Sequence, residues 1–335
     1  MNSDTEGNGS KLLIVEDDPE MLVAFQEILE GSGYSVTTAA NGKDALRLLQ
    51  EIKPALIMSD ITMPGMDGIE LYKAVRERPE GAAIPFIFLT ARGTREDIFA
   101  AKALGVDDYI TKPTTRNELL TAVRARLQRT DELMLIQLKA VLRAMANAIE
   151  ARAGIYTLRH VEAVNAYAQA MALDLGWDES QLEALEFGAI LHDVGKIGVP
   201  EKILSKAGPL DEEEWAEMHM HPVYGAHMIE GNPYLESALP LVLHHHERWD
   251  GRGYPQGLAG ENIPIGARLL AVADTFHAMT SDRAYRPAMA SAKAFEEILA
   301  QAGNQFDPQM VNAFERCWHR GDIAKIHRNV QPVAE

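Results

Sequence analysis

Lys11–Asp18 reads KLLIVEDD: four consecutive apolar residues, Leu12 to Val15, run straight into three carboxylates. An apolar run this short, closed by charge, suits a strand buried on both faces. Outward from it the chain alternates. Similar runs recur at Tyr34–Thr38, Ala55–Ser59, Ile84–Leu89 and Asp107–Ile110, with amphipathic stretches such as Pro19–Glu30 and Gly42–Glu51 between them. Five strand–helix units predict an α/β, doubly wound, five-stranded parallel sheet covered by helices on both faces. In such sheets a site forms at the C-terminal ends of the strands.

Those ends carry the chemistry. The first strand runs into Glu16, Asp17 and Asp18, the third ends at Asp60, the fourth at Thr90, and the fifth is followed by Lys112-Pro113. Converging carboxylates repel unless a divalent cation intervenes, and hard oxygen ligands suit Mg²⁺. A carboxylate beside that cation can attack a phosphoryl donor, and Lys112 and Thr90 can hold the product. Taken singly, each of these is an ordinary turn or loop residue. In order, the stretches IVEDD, SDITMPGMDG, FLTA and DDYITKP make residues 11–128 resemble a two-component response-regulator receiver domain. The resemblance implies that Asp60 is the phosphoacceptor, that Asp17 is the principal carboxylate of a Mg²⁺ site completed by Glu16, Asp60 and the Thr62 carbonyl, and that Thr90, Tyr109 and Lys112 relay the signal. It also implies a cognate sensor histidine kinase as partner. Glu16 departs from the family, where Asp is usual.

A length of 335 residues favours two domains. Residues 1–10 are polar and read as a disordered lead, without the apolar core of a secretory signal. No stretch reaches the length of a membrane span, and a single cysteine, Cys317, suits a reducing cytoplasm. The net charge is −17, of which −5 falls on the residues to Thr130 and −12 on the remainder. That balance argues against a nucleic-acid polymer as partner. A phosphate substrate of the second half has to be attracted locally, by metal ions or a few placed cations.

After Arg126 the pattern becomes continuously helical, with neither Pro nor Gly until Gly154. Apolar Met134, Leu138, Val141, Met145 and Ile149 recur every three to four residues. Residues 129–153 are therefore expected as a helical linker, its stripe suited either to a homodimer or to packing on the second domain.

Beyond Gly154 strand signals are scarce and an all-helical domain is expected over 154–320, with a tail over 321–335. Val161–Leu175, Ser180–Leu191, Glu213–Glu230 and Ile263–Thr280 read as helices. All eleven histidines lie after residue 159, and histidine is the commonest transition-metal side-chain ligand. Nitrogen and carboxylate ligands together suit Fe, Mn or Zn. Two such ions roughly 3.5–4 Å apart stabilise both the entering and the leaving oxygen of a phosphate displacement.

The local context is LHDVGKIGVP, MHMHPVYGAH, HHHERWDGRGYP, IPIGARLLAVADTF and TSDRAYRP. On these segments residues 150–316 resemble the HD-GYP branch of the HD phosphohydrolases, which hydrolyse cyclic di-GMP. The resemblance implies a two-metal centre, of Fe or Mn before other divalent ions. Its ligands would be His160, His192, Asp193, His221, His245, His246 and Asp274. Asp193 would bridge, His160, His192 and Asp274 would hold one ion, and His221 and His245 the other, with His246 near both. Lys196, Arg283 and Arg286 correspond to residues that grip substrate phosphates, and His192, Asp193 and Lys196 form the catalytic group. His244 falls outside the pattern, and His219, His227, His319 and His327 read as structural. Tyr156 stands where some members carry an acidic ligand for a third metal, His277 where Asp is common, and Ala163 where Arg is common.

The expected function is a cytoplasmic response regulator in which phosphorylation of Asp60 controls two-metal hydrolysis of cyclic di-GMP to pGpG or GMP. The alternative is a phosphorylation-gated module that binds the dinucleotide with little or no turnover.

Overall fold

The computed structural model describes residues 9–91, 108–152, 159–206, 208–282 and 287–330, and divides into units Met1–Ile136 and Gln137–Glu335. In the first unit the strands are β1 (Lys11–Val15), β2 (Ser35–Ala39), β3 (Leu56–Asp60), β4 (Phe86–Ala91) and β5 (Asp108–Lys112). They pair in parallel in the order β2-β1-β3-β4-β5, with Leu13 opposite Thr37 on one side and Ile57 on the other. Alternation along each strand sends Leu12, Ile14, Met58 and Leu89 to one face, where Phe25 and Leu29 of α1 (Pro19–Glu30) meet them. Leu13, Val15, Ile57 and Phe88 face the other side, against Leu71, Tyr72 and Val75 of α3 (Gly68–Arg76), with Ala45 of α2 (Gly42–Leu48) in the same cluster. Both faces are thus dry, and continuous apolar strands follow from that burial.

Capping separates the three carboxylates after β1. Asp18 accepts from the backbone N–H groups of Glu20 and Met21 and so starts α1. Glu16 turns inward and is buried, while Asp17 stays exposed. Asp67 starts α3 through a capping box with Glu70.

Helix α4 runs without interruption from Arg116 to Arg152. Its Leu119, Leu120 and Val123 belong to the sheet-side core, and further along Ala146, Ile149 and Glu150 are buried. Residues 129–152, expected as a linker, are the body of this one helix.

The second unit is helical: α5 (His160–Asp174), α6 (Glu179–Leu191), α7 (Glu201–Leu204), α8 (Glu212–Met218), α9 (His221–Ile229), α10 (Leu239–His244), α11 (Ile265–Thr280), α12 (Ser291–Ala300), α13 (Pro308–Arg320) and α14 (Asp322–Val330). Its core gathers Tyr167, Phe276 and Phe314, with the first two rings edge-on at 5.2 Å. Ala163 is fully buried in this cluster, so a small residue fills the position where Arg is common. The segment expected as one helix over Glu213–Glu230 is two. Pro222 lies in the first turn of α9, where its missing N–H costs nothing, and the break brings His221 to that helix's start. Residues 322–330, expected as tail, form α14, which buries Ile323 in the core and brings the His327 Nδ1 to 3.0 Å from the Tyr167 hydroxyl. No helix among the described residues is long and apolar enough to cross a membrane.

Candidate functional site

At the C-terminal edge of the sheet, Lys112 reaches Glu16 at 2.5 Å and Asp60 at 2.6 Å. Burial raises Glu16, which Lys112 only partly offsets. Burial alone would lower Lys112, but Asp60 and Glu16 together raise it, so the ammonium holds its charge. Oxygens of Glu16, Asp17 and Asp60 lie within 4.8 Å of one another, a group able to take a cation. The Thr62 N–H donates to Asp60 Oδ1 at 3.2 Å. Thr90 is buried and Tyr109 is 36% exposed. Gly68 permits the pocket's tight base, since a Cβ there would stand 2.1 Å from the Asp60 carbonyl oxygen.

The second unit holds a denser cluster. His192 follows the end of α6, and its Nδ1–H donates to the Ala189 carbonyl at 2.9 Å. His221 does the same to Met218 at 2.7 Å, and His245, just past α10, to Val242 at 2.8 Å. In each neutral imidazole this leaves Nε2 as a bare lone pair. The Nε2 atoms of His221 and His245 nevertheless lie 3.3 Å apart, as do those of His160 and His192. For His221 and His245, lone pairs facing each other at that distance have no proton to share, and a cation between them resolves the conflict.

Asp193 lies between the pairs. Its Oδ1 is 3.3 Å from His221 Nε2 and 4.0 Å from His245 Nε2, while Oδ2 is 3.3 Å from His192 Nε2. Asp274 Oδ1 is 3.6 Å from His160 Nε2. Two ligand groups result, one of Asp193, His221, His245 and His246 and the other of His160, His192 and Asp274. Asp193 Oδ1 is buried without a hydrogen-bond partner, which costs about 1–3 kcal/mol unless a cation takes it. The donor set therefore fits a pair of divalent ions. The charges are arranged to match. Burial opposes ionisation of Asp193, but Lys196 and His192 hold it well below the usual carboxylate range. Burial lowers His192, and Asp193 reverses this to about 9. Burial and neighbouring imidazoles hold His245 far below its ordinary value and His246 at about 3, both neutral and ready to ligate.

Gly195 makes the arrangement possible, because a Cβ there would meet the His221 carbonyl oxygen at 1.9 Å. The Val194–Gly198 turn can thus nest on the start of α9 and set Asp193 beside His221. Lys196 Nζ, expected to grip phosphates, is held between Asp193 Oδ2 at 2.6 Å and Glu150 Oε1 at 3.1 Å. Arg283, Arg286 and Tyr156 lie outside the described residues. His244 turns to Glu247, 3.8 Å away, and belongs to neither ligand group.

Several contributors were not legible. Glu247 is buried and accepts the N–H groups of Gln256 and Leu258 at 2.8 and 3.0 Å, fixing the Gly253-Tyr254-Pro255 loop. His277 Nδ1 meets His160 Nδ1 at 2.9 Å, and its Nε2 meets Ser281 Oγ at 3.1 Å. With His160 Nε2 given to an ion, His160 Nδ1–H donates to His277, whose own proton then points to Ser281. His277 can therefore orient His160 as a neutral acceptor. His219, read as structural, stacks on Tyr254 at 3.9 Å, and Tyr254 stacks on His246 at 4.7 Å. These rings wall a cavity of about 540 Å³ that also reaches Asp274 and Arg252.

A family description of the response regulator receiver domain matches residues 12–124, and one of the HD domain matches residues 134–310. The cyclic di-GMP phosphodiesterase response regulator RpfG of Xanthomonas campestris is 33% identical over 332 residues, spanning 92% of this chain and 88% of that protein. The chain belongs to the response regulators that join a receiver to an HD domain. A cyclic di-GMP phosphodiesterase of Thermotoga maritima is 32% identical over 331 residues, 90% of this chain and 89% of its own. The HD part also resembles the 3'3'-cGAMP-specific phosphodiesterase 2 of Vibrio cholerae, 37% identical over 182 residues, 54% of this chain and 35% of that one. HD membership implies hydrolysis dependent on a divalent metal.

Proposed function

We propose that this protein is a phosphorylation-controlled phosphodiesterase that hydrolyses cyclic di-GMP to pGpG or GMP. The observation that carries the reading is the single aspartate, Asp193, lying between two groups of histidine and aspartate side chains in which Nε2 atoms face one another at 3.3 Å. His160, His192, Asp274 and Asp193 would hold one ion, and His221, His245, His246 and Asp193 the other, with Fe or Mn the preferred metals. Bound there, the pair would supply Lewis-acid stabilisation of the entering and leaving oxygens at phosphorus.

The chain's own residues do the rest. Lys196 keeps Asp193 ionised in a buried setting. The ring wall of His219 and Tyr254 offers a planar face to a guanine base, a contact worth about 1–3 kcal/mol. Arg252, on the cavity's edge and exposed, offers a cation to a phosphate, as would Arg283 and Arg286 on the family pattern. In the receiver, Asp60 would take the phosphoryl group from a histidine kinase, and Glu16, Asp17, Asp60 and the Thr62 carbonyl would hold the Mg²⁺ that neutralises charge there. Thr90, Tyr109 and Lys112 would relay it. Exposed Met134, Val141 and Met145 on α4 suit pairing with a second copy, and the protein is assigned to the cytoplasm.

The test is turnover by anaerobically purified, metal-assayed protein, with and without a phosphoryl donor, compared with Asp193→Ala. Metal-dependent cleavage of cyclic di-GMP, lost in the variant and altered by the donor, is expected. Tight binding without cleavage would turn the reading to the binding module, and preference for 3'3'-cGAMP would correct the substrate.

A further inference from the structure

Glu150 lies in the last turn of α4 and is 3% exposed. The helix is fixed there by the pairs Lys139–Glu186 at 2.8 Å, Arg143–Glu186 and Arg152–Glu201 at 2.6 Å. These are partly exposed pairs of small individual worth, but together they set the helix's rotation and direct Glu150 inward. One carboxylate oxygen is used, since Oε1 accepts from Lys196. The other, Oε2, is buried with no partner. Lys196 does not need both, because Asp193 already meets its charge at 2.6 Å. A carboxylate oxygen of Glu150 lies within 4.8 Å of ligand atoms on both His160 and Asp193.

His160 settles which ion such an oxygen can serve. Its Nδ1 meets His277, and its Nε2 is the atom facing His192 and Asp274. One lone pair holds one cation. We propose that Glu150 is a further ligand of the ion held by His160, His192, Asp193 and Asp274, an inference that rests on the two-ion reading above. The two positions then differ in chemistry. The Glu150 position offers two nitrogens and three carboxylates and favours oxygen-preferring Mn²⁺, while the position of His221, His245 and His246 is nitrogen-rich and suits Fe or Zn.

The experiment is Mn²⁺ titration of the full chain, read by metal analysis and electron paramagnetic resonance, for wild type, Glu150→Gln and Glu150→Asp. Wild type is expected to take two Mn²⁺ with a spin-coupled signal. Glu150→Gln should keep one with an uncoupled signal and bind the second at least tenfold more weakly. Glu150→Asp, which keeps the charge but retracts it by one methylene, should weaken the same ion. Two ions of unchanged affinity in Glu150→Gln and Glu150→Asp would overturn the assignment while leaving the two-ion reading intact. Failure of wild type to bind two ions would overturn both readings.

Discussion

Replacing His277 with Ala should weaken the ion at His160 without touching its ligands. His160 and His277 are 3% and 6% exposed, so the lost ring is not replaced by bulk solvent. In the ion-free variant His160 can move its proton to Nε2, toward Asp274 at 3.6 Å. Binding an ion forces that proton back to Nδ1, which has lost its His277 acceptor. The cost of such an unpaired buried donor, about 1–3 kcal/mol, falls on the ion-bound state alone. That corresponds to about 5- to 150-fold in affinity, in line with the roughly 10- to 100-fold typical of lost orienting partners. His277→Asp supplies an acceptor again and should restore affinity to at least the wild-type level. Competition against a chelator of known affinity measures all three proteins. A His277→Ala variant that keeps its helical content and binds both ions within twofold of wild type would refute the tautomer argument.

Metal uptake should also depend on pH through His192. In the folded, ion-free protein it keeps its proton to about 9, while burial raises the Glu150 carboxyl to about 7. An ion entering at neutral pH therefore expels a proton from His192, and apparent affinity should rise about tenfold per pH unit between about 7 and about 9, more steeply below about 7, and then level. Calorimetry in buffers of different ionisation enthalpy counts that proton; none released at pH 7.5 would be the contrary result. The same shift makes the ion-free fold most favoured below about pH 6.5, with that contribution lost as pH rises through about 9, which thermal melts across this window will show. Gly195→Ala should destabilise the second unit by about 1–3 kcal/mol through the 1.9 Å contact with the His221 carbonyl oxygen, lowering its melting temperature by about 2–4 °C per kcal/mol along with its ion uptake. Asp60→Asn should abolish acid-labile phosphoryl incorporation from a small-molecule donor, as a phosphate-retarding gel will show, while leaving Mn²⁺ uptake by the HD unit unchanged.

The receiver was legible almost to the residue because burial on both sheet faces writes continuous apolar strands and because its chemistry follows directly after them. The histidines and aspartates that gather in the HD unit stood out as motifs, since adjacent residues such as His192-Asp193 and His245-His246 stay adjacent in space. What escaped reading depends on distant approach. Glu150 looks like one more charge on a helix whose apolar stripe dominates the pattern, and only the fold brings it to Lys196, 46 residues on. His277 could be flagged as unusual, but its contact with His160 spans 117 residues. The break before His221 is hidden because periodicity runs through it, although Pro222 is the available signal. Asp18 looks like part of the acidic cluster until its capping bonds to α1 are seen.

Three of the imidazoles are anchored on the last turns of helices α6, α8 and α10, so carboxyl ends of helices, with their partial negative charge, converge on the same small volume as Asp193, Asp274 and Glu150. An empty centre of this kind is a trap for cations and a barrier to phosphates. Ions arriving first would add positive charge to what Lys196 and the protonated His192 already supply, and so favour entry of the dianionic dinucleotide. In a cell short of the metal, the enzyme would not hold its messenger idle but would leave it free to signal elsewhere.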